Sequence, residues 1–210
     1  MAKIFGSFKS GVRAAFDPMG RALVRLGVSV DAVTVIGTLG VIAGSVAFAA
    51  RGKLVAATVV ITLCALVDVL DGAMARARGR STRFGAVLDS SMDRVADGAI
   101  FAALAYWLAT DDQRLTSVVC LIALVAGQVV SYVRARAEAA GFTCNVGIAE
   151  RMERLVTVGV GALITGFGGG DWGLALAIWL VAVASIVTVV QRLLHVRAQE
   201  QRAPAVETAG

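Results

Sequence analysis

Apolar residues occur along this chain in blocks of helix-spanning length, separated by short clusters of arginine and aspartate. The blocks fall at about 32–50, 54–76, 84–108, 116–136, 154–170 and 173–194, each near the ~20 residues that carry a helix across a bilayer at ~1.5 Å per residue. In hydrocarbon every backbone N–H and C=O must be satisfied within the segment, so the expected architecture is all-α and polytopic, with six transmembrane helices. Ahead of the blocks, Ile4, Phe5, Phe8 and Val12 share one helical face that Lys3, Lys9 and Arg13 avoid. That is the pattern of an amphipathic helix lying at the membrane interface. Asp17-Pro18 interrupts it, and Met19, Leu23 and Leu26, with Arg21 and Arg25, begin another. Residues 1–30 are therefore read as a juxtamembrane segment without the pattern of a secretory signal. Residues 31–197 are read as the transmembrane domain, and the Ala/Pro/Glu-bearing stretch 198–210 as a disordered tail.

Composition supports the membrane reading. The chain is 58% hydrophobic and only 17% charged, with a mean hydropathy of +0.78, far from the roughly one-quarter charged composition of soluble domains. A formal charge of +5 does not point to nucleic acid in so apolar a chain, because the basic residues alternate between connections. Arg76, Arg78, Arg80 and Arg83 lie between the second and third blocks, Arg134, Arg136, Arg151 and Arg154 between the fourth and fifth, and Arg192, Arg197 and Arg202 at the end. The other connections carry Arg51, Lys53 and Arg114 beside Asp111, Asp112 and Asp171. The positive-inside rule then places both termini and the Arg76–Arg83 connection in the cytoplasm of a multi-pass cell-membrane protein. Cys64, Cys120 and Cys144 show no disulfide or metal-site spacing, and His195 stands alone.

The chemistry is concentrated in four aspartates. Asp68-x-x-Asp71-Gly72-x-x-Ala75-Arg76 is followed, eight residues on, by Gly85-x-x-x-Asp89-x-x-x-Asp93. Residues three or four apart share a helix face, so each pair presents its carboxylates in one direction. All four fit one layer roughly 10 Å below the connection between their helices. Converging anions in a low dielectric repel strongly unless a cation neutralises them. Hard carboxylate oxygens suit Mg²⁺ or Mn²⁺, which also engage substrate phosphates. Gly72 and Gly85 permit close approach, and Arg76, four residues beyond Gly72, can grip a phosphate bidentately. Ion pairing of the aspartates with Arg76, Arg83 and Arg94 is the purely structural alternative. Asp97 continues the face one turn deeper and is read as a structural partner.

This 68–93 segment resembles the signature of the CDP-alcohol phosphotransferase family, with every motif position present. The resemblance implies a six-span α-helical enzyme, often a homodimer, that moves a phosphatidyl-type group from a CDP-linked donor to an alcohol and releases CMP. By position it implies that Asp68, Asp71 and Asp89 hold one metal ion, that Asp68, Asp89 and Asp93 hold a second, and that Asp93 is the general base. It likewise implies that Asp31, Thr34, Gly72, Arg76, Thr82 and Gly85 contact CDP-diacylglycerol. Val30 replaces a proline common before Asp31 in relatives.

A second basic cluster bears on the acceptor. Ser131, Arg134, Arg151, Arg154 and Arg192 end or begin the fourth, fifth and sixth blocks on the same side. So many arginines exceed what a neutral alcohol needs and suit an acceptor bearing its own phosphate. The pattern is similar to the actinobacterial branch of the family, whose acceptor is inositol 3-phosphate, although Arg134 and Met152 stand where relatives have lysine and proline. Glycerol 3-phosphate, giving phosphatidylglycerol phosphate, is the alternative acceptor. The same arginines would also satisfy a mere topological bias by snorkelling to headgroups. Readings outside the family are a divalent-cation transporter and an intramembrane prenyltransferase. Carboxylates gathered on one side, beside glycines and arginines suited to a nucleotide, weigh against transport.

Overall fold

Among the described residues every regular element is helical, as a chain with its backbone in lipid requires. The computed structural model describes residues 17–77 and 82–202, apart from the side chains at 68, 69, 71 and 75. The amphipathic stretch of Ile4, Phe5, Phe8 and Val12 lies outside these residues. Residues 17–25 form α1. It is followed by α2 (Val30–Ala47), α3 (Leu54–Ala77), α4 (Arg83–Thr110), α5 (Arg114–Ala139), α6 (Arg151–Ile164) and α7 (Trp172–Arg202). The chain divides into two units within α4, after Ala103.

In the first unit α2 and α3 form a hairpin. A 3₁₀ turn at Ala49–Arg51 ends on Gly52, whose φ of 69° is the left-handed conformation that glycine adopts without penalty. The two helices approach closely through small residues. A Cβ on Gly40 would lie 2.7 Å from Cys64 Sγ, and one on Gly44 would lie 2.8 Å from Val60 Cγ1. Polar side chains facing this seam are satisfied within their own helix: Thr38 Oγ1 donates to the Thr34 carbonyl at 3.0 Å and Ser45 Oγ to that of Val41 at 2.8 Å. Packing of α1 on α3 is equally tight, since a Cβ on Gly20 would stand 2.8 Å from Ala73.

In the second unit α7 packs against both α5 and α6. A single π-helical turn, Thr165–Gly169, extends α6, and Thr165 Oγ1 accepts from the Leu174 N–H at 2.9 Å to tie that turn to α7. Here too glycine sets the interhelical distance, as a Cβ on Gly161 would lie 2.7 Å from the Gly173 carbonyl oxygen.

Among the described residues four helices are long and apolar enough to cross a membrane: Val30–Arg51, Leu54–Met74, Arg114–Ala139 and Trp172–Arg202. The six-span expectation thus depends on α4 and α6. The N-terminal part of α4 carries Arg83, Asp89, Asp93, Arg94 and Asp97, and α6 proper has 14 residues before its π turn. The last helix departs from expectation as well. It continues through 198–202, assigned from sequence to an irregular tail, because nothing in Ala198-Gln-Glu-Gln-Arg202 breaks a helix and Pro204 comes only later.

The glycine seams give a direct test. Gly161→Ala should cost ~1–3 kcal/mol by overpacking and lower the unfolding temperature in detergent. Gly98→Ala in α4, where a Cβ meets nothing within 4 Å, should be neutral or stabilising by up to ~1 kcal/mol.

Candidate active site

The residues assigned from sequence to the metal ions and the CDP-linked donor all belong to the first unit. Asp68, Asp71, Gly72 and Arg76 lie on the C-terminal half of α3, and Gly85, Asp89 and Asp93 on the first turns of α4. Helical continuity through both segments leaves each aspartate pair on one face, as its spacing demands. Thr82 precedes α4 and caps it, its Oγ1 accepting the Gly85 N–H at 2.9 Å. A Cβ on Gly85 would lie 2.8 Å from Thr82 Oγ1 and 3.5 Å from Asp31 Oδ1, so the start of α2 and the start of α4 are neighbours here. Asp31, Thr82 and Gly85 are thereby gathered, although they are dispersed in sequence. Thr34, one turn beyond Asp31, is 5% exposed and donates to the Val30 carbonyl at 3.3 Å. Gly72 and Arg76 share a face, with an Arg76 guanidinium nitrogen 3.5 Å from where a Gly72 Cβ would be.

Arg76 also meets a carboxylate that the motif does not contain. Its guanidinium donates to Asp17 Oδ1 of α1 at 2.9 Å. Both side chains are well exposed, so this pair is worth only ~0–1 kcal/mol and a phosphate can displace it.

Asp89 is exposed and the Asp93 side chain is 23% accessible. Arg94 stands 3.6 Å from Asp93 Oδ2, at the long end for an ion pair. Asp97, one turn deeper, is buried. The motif's carboxylates are hard oxygen donors, those of Asp89 and Asp93 are accessible, and that chemistry fits a divalent cation of the Mg²⁺ or Mn²⁺ kind.

The residues assigned from sequence to the acceptor belong to the second unit, and three of them meet on one stretch of α5. Arg154 of α6 is 3% exposed and Arg192 of α7 is 2% exposed. Both are deep in the protein and neither snorkels. Arg192 Nε donates to the Val146 carbonyl at 2.8 Å and its NH1 to that of Val130 at 2.6 Å. Arg154 NH1 donates to the Ala149 carbonyl at 3.1 Å. Its guanidinium lies over Gly127, where a Cβ would be 3.1 Å from Nε. Ser131 Oγ bonds the same residue's carbonyl at 3.4 Å. Among the described residues Arg192 makes no ion pair, so carbonyl dipoles hold a full positive charge in the interior. An anion arriving there would meet charge already desolvated. Arg151 opens α6, and Arg134 on the last turns of α5 is half-buried and pairs with Glu138 at 2.9 Å.

Sequence patterns give no role at the site to Asp17 or Gly127, which shape these surroundings. The one available signal is that Gly127 sits four and seven residues before Ser131 and Arg134, on their helix face.

Known proteins resemble this chain in sequence and fold. Residues 29–201 match the profile of the CDP-alcohol phosphatidyltransferase family. The phosphatidylinositol phosphate synthase of Mycobacterium marinum is 48% identical over 188 residues, covering 86% of this chain and 80% of its own. That of Streptomyces avermitilis is 47% identical over 199 residues, covering 91% and 82%. Among solved structures, Mycobacterium tuberculosis phosphatidylinositol phosphate synthase with CDP-DAG bound superposes with a TM-score of 0.82 at 46% identity, over 86% of this chain and 92% of that one. The same enzyme in complex with manganese and citrate gives 0.82 at 45% identity, over 87% and 88%. With the aspartate signature complete and the fold shared over nearly the whole helical region, this chain is a membrane transferase belonging to the CDP-alcohol phosphatidyltransferase family.

Proposed function

We propose that this chain is a phosphatidylinositol phosphate synthase, transferring the phosphatidyl group of CDP-diacylglycerol to inositol 3-phosphate with release of CMP. The observation that carries the acceptor assignment is the buried pair Arg154 and Arg192 beside Ser131 on α5, in a chain whose relatives at 46–48% identity bear that activity in their names. A neutral acceptor would leave the desolvated guanidinium of Arg192 unmatched.

The acceptor hydroxyl oxygen forms a bond to the phosphorus that carries the diacylglycerol, and the bond from that phosphorus to the CMP oxygen breaks. Asp93 takes the hydroxyl proton, a role its partial accessibility allows. Asp31, Thr34, Gly72, Arg76, Thr82 and Gly85 hold the CDP moiety. Gly85 leaves room for it beside Thr82 and Asp31, and Arg76 exchanges Asp17 for a phosphate oxygen. Arg151, Arg154 and Arg192, with Ser131 and Arg134, grip the acceptor's own phosphate. Two divalent cations, Mg²⁺ or Mn²⁺, held by Asp68, Asp71, Asp89 and Asp93 would supply electrostatic stabilisation of the leaving phosphate when bound. The lipid tails stay in the bilayer, and the arginine-rich connections support a cytoplasmic site and cytoplasmic termini. The family resemblance makes a homodimer the proposed assembly.

An acceptor panel on purified protein with CDP-diacylglycerol tests the assignment. CMP should be released with inositol 3-phosphate and much more slowly with inositol, serine or glycerol 3-phosphate, and preference for glycerol 3-phosphate would assign the other acceptor. Asp93→Asn should fold and bind donor yet lose at least ~100-fold in kcat, as loss of a general base requires. Near-normal turnover would place the base elsewhere. Chelation should abolish CMP release. Asp68→Ala or Asp89→Ala should damage activity more than Asp71→Ala, since each is assigned to both ions.

A further inference from the structure

The connection between α5 and α6, residues 140–150, has no helix or strand of its own, yet its backbone is fastened to α7 at three heights. Gln199 Oε1 accepts from the Thr143 N–H at 3.0 Å and its Nε2 donates to the Thr143 carbonyl at 2.6 Å. Arg192 donates to the Val146 carbonyl at 2.8 Å. Between them in function, though one turn earlier on α7, Thr188 Oγ1 accepts two adjacent N–H groups, Ile148 at 3.2 Å and Ala149 at 3.1 Å, and donates its own proton to the Ala184 carbonyl at 2.8 Å. A hydroxyl offers one proton and two lone pairs, and here all three are used. The residue is fully buried, so water does not substitute for any of them. Gly147 completes the junction. Its φ of 129° suits only glycine, and any Cβ there would collide with Thr188 Cγ2.

We infer that Thr188 is a positioning residue for the acceptor: its hydroxyl sets the 147–149 segment so that the first turn of α6 presents Arg151 and Arg154 to the same anion that Arg192 meets. The segment runs directly into Glu150, the N-cap of α6, and then Arg151. Ala149 is held from both sides, its N–H by Thr188 and its carbonyl by Arg154. A displacement of this backbone therefore moves Arg154 with it. None of these contacts involves a residue assigned to CDP, so the effect should fall on the acceptor alone. The inference rests on the acceptor reading above, and its test separates the two.

Thr188→Val keeps the shape and removes the hydroxyl, whereas Thr188→Ser keeps the hydroxyl and removes the methyl. Each is assayed in detergent with wild type and Arg151→Ala, scoring KM for inositol 3-phosphate, KM for CDP-diacylglycerol and kcat. Thr188→Val should raise the acceptor KM about ten-fold or more, as two buried N–H groups lose their partner, with the donor KM within two-fold of wild type. Thr188→Ser should stay within about three-fold for every constant. Hydrogen exchange at Ile148 and Ala149 in the Val variant should accelerate over wild type, a readout available even if turnover is weak. An unchanged acceptor KM in Thr188→Val, with a raised one in Arg151→Ala, would overturn the positioning role and leave the acceptor reading standing. Equal loss in all three constants for both Thr188 variants would make the residue merely structural and overturn the role too. If Arg151→Ala itself keeps the wild-type acceptor KM, the acceptor reading fails and the inference falls with it.

Discussion

A charge withdrawn from water must be matched, and in this chain that requirement bears on the charged residues of each unit. Four aspartates recur in segments otherwise apolar enough to lie in a membrane, and two guanidiniums in the second unit are almost wholly buried. Desolvating an ion costs several kcal/mol even after relaxation, so neither group is retained for packing. The guanidinium of Arg192 is met in part by the Val130 and Val146 carbonyls. Carbonyl dipoles lower the cost without cancelling the charge, which leaves a standing attraction for an anion. The aspartates present the opposite case, a standing attraction for cations.

Small residues make such charges tolerable by drawing helices together. Gly20, Gly40, Gly44 and Gly161 each face a neighbouring helix at a distance that a methyl group would violate. In lipid, where tails are as apolar as leucine, close backbone packing replaces hydrophobic exclusion as the source of association. Gly127 extends the same device to function, since its missing side chain is the space over which the Arg154 guanidinium lies.

Hydropathy and spacing carried much of this in advance. The α2, α3, α5 and α7 spans stand out by length and apolarity, and the Asp68–Asp93 signature is local, needing only the helical period to be read. Charged residues early in α4 and the brevity of α6 blur the remaining two expected spans. What the chain's order conceals are partners far apart in sequence. Asp17 and Arg76 are separated by 59 residues, Arg192 and Val130 by 62, and Thr188 and Ile148 by 40. In the last two the partner is a backbone atom, to which side-chain identity gives no clue. Arg192 is thus legible as a basic residue at the end of a span but not as a tie across three segments, and Thr188 reads as one more β-branched residue in an apolar helix. The helical stretch 198–202 was obscured for a simpler reason, because polar composition resembles that of a tail whether or not the helix continues.

The central claim is that the aspartates of α3 and α4 are there to hold metal ions and not to pair with neighbouring arginines. Mn²⁺ titration of the full-length protein in detergent, followed by electron paramagnetic resonance with and without CDP-diacylglycerol, addresses it directly. The account predicts that wild-type protein depletes the free Mn²⁺ signal saturably, more tightly when the donor is present, and that Asp89→Ala abolishes this binding while the protein remains folded. A free-ion signal undiminished by wild-type protein under both conditions, or equally diminished by Asp89→Ala, would contradict it.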